Sequence, residues 1–170
     1  MMNYTTRLTP MDFVAEDVDA AIMLSEEAVP GVIRHRLVAD ARLPVCAPVI
    51  AARLHAPADL AREVLIQQTT RPRGWVEWLE QGGVAGIDGL RGPLMQHTAM
   101  VAEACVVGLG VALLPRFLVD REVRDGRLET PFSRTLTGDA AFCLAYPEAA
   151  EEVPALRAFR DWLVQQATAG

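Results

Sequence analysis

Short β-type runs alternate with helical patterns from one end of this chain to the other, and that alternation more than any motif limits what it can fold into. Helices laid against a sheet of mostly parallel strands bury both kinds of apolar face, so the pattern predicts an α/β fold. Residues 4–7 read as a strand, and Thr9 with Pro10 opens a helix, threonine as N-cap and proline at the first helical position. Residues 18–24 read as the next strand. After a turn at residues 29–31, the stretch IRHRLVADARLPVCAP at residues 33–48 has no helix signal and is expected to be extended, closed by Pro48. Two short helices (48–53 and 57–62), a strand in VLIQQ, and a helix at 73–81 carrying Trp75, Trp78 and Leu79 follow, the last stopped by Gly82-Gly83.

Residues 92–97 are then expected as a strand and Thr98 as the cap of a helix whose Val101, Ala104 and Cys105 obey the i, i+3, i+4 rule. Residues 111–114 form a buried strand, and Pro115 opens a helix to about Arg124. After a DGR turn, 128–132 and 140–146 read as strands. The last helix has Glu151 and Glu152 near its positive end, Pro154 in its first turn and Leu156, Phe159, Leu163 and Gln166 on one stripe.

Composition removes whole classes of function. The 170 residues suit one domain or two small lobes, and 51% apolar with 22% charged residues excludes a disordered chain. No apolar run reaches the roughly 18–20 residues that span a bilayer, and the start lacks a signal-peptide layout, so a cytoplasmic protein with no membrane partner is expected. A net charge of -6 argues against a nucleic-acid surface. All 16 basic residues are arginine, which rules out lysine-based phosphate loops and Schiff bases. Cys46, Cys105 and Cys143 stand apart in apolar stretches and read as buried free thiols. His35, His55 and His97 are isolated, so neither metal nor cofactor is expected. Ser25 and Ser133 lie in no GxSxG context, which leaves an enzyme without a nucleophile motif.

Six segments in order carry a resemblance: DFVAEDVDAAI (12–22), RLVADARLPVCAP (36–48), PADLA (57–61), GVALLP (110–115), AYPEA (145–149) and PALRAFRDWL (154–163). Together they resemble the effector-binding domain of LysR-type transcriptional regulators, in particular the subgroup related to the glycine-cleavage activator. The resemblance implies two α/β lobes of the type II periplasmic-binding-protein kind, with a small-molecule effector in the cleft and subunits paired as a homodimer or higher homo-oligomer. Promoter DNA would be held only by a helix-turn-helix that these residues do not include. The first lobe is expected to be incomplete. The implied division is residues 1–45 as part of the first lobe, 46–115 as the second, and 116–170 as the return crossing with the C-terminal helix.

Ligands of open α/β lobes bind beyond the carboxyl ends of the strands, where helix N-termini offer free N–H groups. The candidate effector-binding residues are therefore Thr9, Ser25, Gln68, Thr69, His97 and Thr98, with Gln67 beside them. Each also has a plainer reading: Thr9 and Thr98 as caps of their own helices, His97 as a surface residue, the glutamines, Thr69 and Ser25 as loop residues. Trp75 and Trp78 share one amphipathic helix and are read as core rather than as a stacking platform. A solute-binding protein of the same fold, or a dimerisation fragment without a working cleft, remain as alternatives to the sensor.

Overall fold

Prolines and glycines mark the edges of most elements, and the order of elements follows them. A computed structural model describes residue 13, residues 18–25 and residues 28–169. In chain order it has strands β1 (Ala21–Ser25), β2 (Val32–Ala39) and β3 (Arg42–Val45), helix α1 (Pro48–Ala51), a 3-10 helix (Pro57–Arg62), β4 (Leu65–Gln68), α2 (Gly74–Gln81) and β5 (Leu94–Met95). Then come α3 (Thr98–Val106), β6 (Val111–Pro115), α4 (Arg116–Arg124), β7 (Ala141–Pro147), a 3-10 turn (Glu148–Ala150) and α5 (Pro154–Ala169). The expected strand at 4–7 and the helix opened by Thr9 lie outside the described residues. The chain divides into two units, residues 1–40 with 138–170, and residues 41–137.

The second unit is a sheet in the order β3-β6-β4-β5, with β4 parallel to both β5 and β6, and β3 antiparallel to β6. Strands β3, β4 and β6 are buried on both faces, which is why VALLP shows no polar alternation. Val111 and Leu113 face one apolar cluster, with Leu60, Leu65, Trp75 and Trp78. Ala112 and Leu114 face the other, with Ile66, Val101, Cys105 and Val119. The tryptophans are core residues, 2% and 1% exposed, packed edge-on at 5.7 Å. Burial obliges their indoles to find acceptors. Trp75 Nε1 donates to the Ile66 carbonyl at 3.1 Å and Trp78 Nε1 to that of Arg134 at 3.0 Å.

One expected strand shrinks and another does not form. Only Leu94 and Met95 pair in residues 92–97, because Pro93 has no N–H to give and Gly92 (φ 143°) turns the chain where a Cβ would run into the Leu65 carbonyl oxygen. Residues 128–132 form no strand: Glu129 exchanges backbone bonds with Cys46, but Leu128 is fully buried in the second cluster and Pro131 lacks a donor.

The first unit has β7 between β1 and β2, antiparallel to both. Helix α5 covers this sheet through Leu156, Phe159 and Leu163, which meet Leu144, Tyr146 and Ile33, while Gln166, expected on the same stripe, is exposed. Buried Tyr146 holds its hydroxyl 2.8 Å from His35 Nε2. The expectation of mostly parallel strands is corrected: among the described residues three of five strand pairings are antiparallel. Parallel neighbours need a crossover between them, as β4 and β6 have, whereas β7 returns from a remote part of the chain with its direction unconstrained. No described helix is long and apolar enough to cross a membrane.

Candidate functional site

The parallel strands β4 and β5 run side by side and end together at Gln68 and Met95. Just beyond, the Thr69 N–H donates to the Met95 carbonyl at 3.1 Å, and α3 begins at Thr98. The carboxyl ends of two parallel strands thus meet the amino end of a helix, the arrangement in which α/β proteins present unsatisfied N–H groups to a ligand.

Gln68 organises this corner. It is 5% exposed, and both ends of its amide are used: Arg42 Nη1 donates to Oε1 at 2.6 Å, and Nε2 donates to Thr98 Oγ1 at 2.8 Å. Arg42, 3% exposed on β3, reaches across because β6 alone separates β3 from β4. A buried guanidinium requires hydrogen-bond acceptors, and a strand-end amide supplies one. The bond to Thr98 corrects the expected cap. Thr98 is the first helical residue, the capping position belongs to His97, and no side chain caps the helix there. The Thr98 hydroxyl is engaged by Gln68 instead of by its own helix.

The other expected residues are distributed as follows. Thr69 is half-buried beside Gln68, and His97 is exposed at the turn before α3. Gln67 points to the opposite face of β4, where Nε2 donates to the Leu65 carbonyl at 3.0 Å and Oε1 is buried with no partner among the described residues. It borders a cavity of about 10 Å³ that Arg42, Gln68, Arg71, Gly74 and Trp75 also line. Ser25 ends β1 in the first unit, its Oγ accepting from Arg34 Nη1 at 2.6 Å. Thr9 lies outside the described residues. Gln68, Thr69, His97 and Thr98 are therefore the four that the fold gathers.

Arg42 is the residue that the sequence reading missed. Its signal was a single charge in the otherwise apolar run following Asp40, ARLPVCAPVIAA, where every other charge is absent until Arg53. A larger cavity of about 430 Å³ lies at the other ends of β4 and β5, between Glu63, Val64, Asp88 and Arg91. It carries both signs of charge around apolar walls and no side-chain amide or hydroxyl.

All three cysteines are buried and free, and burial pushes Cys46 and Cys105 up to about 12, helped at Cys46 by Glu129 and Glu63. Among the described residues no three His, Cys, Asp or Glu side chains gather as metal ligands.

Comparison with known proteins agrees with this architecture. The family model for the LysR substrate binding domain matches residues 5–168. The glycine cleavage system transcriptional activator of Escherichia coli strain K12 is 35% identical over 161 residues, covering 93% of this chain and 52% of that protein. The activator AmpR of Rhodobacter capsulatus is 30% identical over 165 residues, 97% of this chain and 56% of AmpR. The chain therefore spans about half the length of the curated relatives it matches. Among solved structures, the effector domain of AmpR from Pseudomonas aeruginosa superposes with a TM-score of 0.84 at 28% identity, covering 94% of this chain and 77% of that one. These relatives are regulators rather than enzymes, and their effector domains share the two-lobed, type II periplasmic-binding-protein-like α/β fold. On the family match and these likenesses, the chain belongs to the LysR substrate binding domain family.

Proposed function

We propose that this chain is the effector-sensing part of a LysR-type transcriptional regulator. It binds a small metabolite and, as a homodimer, passes the occupancy of its site to a DNA-binding helix-turn-helix outside these residues, in the cytoplasm. The observation that supports the reading best is the Gln68–Thr98 bond at the ends of β4 and β5, because it holds a polar side chain ready where helix α3 opens. Gln68, Thr69, His97 and Thr98 line that corner, and Thr9 and Ser25 are proposed as further effector contacts. Glutamine and threonine in a partly buried corner suit a polar metabolite held by directed hydrogen bonds.

The test is a thermal-shift screen against amino acids, aromatic acids and other small metabolites. A ligand present at a hundred times its Kd stabilises by about 2.7 kcal/mol, which for a chain of this size raises Tm by about 5–10 °C. Thr98→Ala, which removes one hydrogen bond of about 1 kcal/mol, is expected to lose about a third of that rise. A protein that melts cooperatively yet responds to no compound sinks the reading. Sedimentation at micromolar concentration checks the dimer, and a monomer there counts against it.

A further inference from the structure

We propose that Arg42 is a positioning residue: it fixes the hydrogen-bond polarity of the Thr98 hydroxyl, so that the site accepts ligands presenting an acceptor there, a carboxylate or carbonyl oxygen. This rests on the effector-binding reading above.

Donors and acceptors decide the orientation of the amide. A guanidinium only donates, so the Gln68 atom 2.6 Å from Arg42 Nη1 is the amide oxygen. A glutamine between neutral partners can present either end of its amide, and here Arg42 removes that choice. The Gln68 NH2 is therefore turned to Thr98 and donates to Oγ1 at 2.8 Å. Thr98 Oγ1 is committed as an acceptor on that side. Its own proton has no acceptor among the described residues and is free to be donated outward. The first-turn N–H groups of α3 are donors as well. Reversing the order would set the Gln68 NH2 against the Arg42 N–H groups, with both side chains almost wholly removed from water.

Gln68→Glu inverts the chain of bonds without changing its shape. A carboxylate accepts at both ends, so it keeps Arg42 and takes the Thr98 proton, leaving Thr98 with only lone pairs to offer. Arg42→Lys retains a pure donor, and Arg42→Met releases the amide to flip.

The experiment uses the 170-residue chain labelled with nitrogen-15, following the amide signals of Thr98 and Ala99. The probe is N,N-dimethylacetamide, a neutral molecule with an acceptor oxygen and no donor, so that added protein charge does not repel it. The wild type and Arg42→Lys are expected to respond alike. Gln68→Glu is expected to bind the probe about fivefold more weakly, the equivalent of one neutral hydrogen bond of about 1 kcal/mol. Arg42→Met falls between them, and if it does not fold, Gln68→Glu and Arg42→Lys decide. An unchanged response in Thr98→Ala, or no response in the wild type, overturns the effector-site reading and this proposal with it. Loss of response in Thr98→Ala together with wild-type binding in Gln68→Glu overturns the polarity proposal alone.

Discussion

Gly82→Ala is a substitution whose sign the local backbone and the tertiary structure predict differently. Gly82 ends α2 with φ -90° and ψ 0°, a conformation open to any residue. Chain entropy alone therefore makes alanine stabilising by about 0.4–1 kcal/mol. The new methyl, however, would land on the guanidinium of Arg134. That group lies 3.6 Å from the centre of the Trp78 ring, and its Nη2 donates to the Trp78 carbonyl at 2.9 Å. Moving it forfeits a cation–π contact worth about 0.5–2 kcal/mol and a charge-assisted hydrogen bond at a half-exposed site, about 1 kcal/mol after solvent screening. The losses win, and a net destabilisation of about 1–2 kcal/mol is expected. For a chain of this length that lowers Tm by about 2–8 °C.

A double-mutant cycle separates the entropy gain from the displacement of Arg134. In an Arg134→Ala background there is no guanidinium to displace, so Gly82→Ala is expected to be neutral or stabilising by up to about 1 kcal/mol. Urea unfolding of the four proteins, followed by circular dichroism, reads both values. An equal cost of Gly82→Ala in both backgrounds would refute the claim that glycine is needed there to admit Arg134.

Gly92→Ala is expected to cost more than 2 kcal/mol in the same unfolding assay, because φ 143° is strained for alanine and its Cβ meets the Leu65 carbonyl oxygen. Wild-type stability there would remove the reason given for the shortness of β5. Cys46 and Cys105 should resist alkylation at neutral pH until the protein is denatured. Burial raises both thiols from an ordinary 9.0 to about 12, so the unfolded chain loses these protons first, and stability should fall as pH climbs from about 9 to 12. Rapid labelling of the native protein, or stability flat across that interval, would contradict the burial. Tyr146→Phe removes the partner of His35 Nε2 and of Arg160, and a loss of about 1–2 kcal/mol is expected in urea.

How much of this was legible depends on how far along the chain each cause lies. The buried run VALLP, the helix with Trp75 and Trp78, the prolines that open Pro48–Ala51 and Pro57–Arg62, and the amphipathic Pro154–Ala169 could be read directly, since each rests on apolar spacing or a backbone restriction within a few residues. The order of these elements, with the six family segments, also carried the fold class. The candidate corner was half legible: the rule about strand ends and helix starts pointed to Gln68 and Thr98, but not to what they do to each other.

That relation belongs to the tertiary structure. Arg42 lies 26 residues from Gln68, and Gln68 lies 30 from Thr98, so which end of the amide faces the hydroxyl depends on three strands being laid side by side. The same holds for Tyr146 and His35, 111 residues apart, and for Leu128, whose place in the core displaced the strand expected there. Sequence periodicity specifies which face of an element is apolar; only the packed fold decides which polar atom meets which. A buried amide or guanidinium must find a partner wherever the chain brings one.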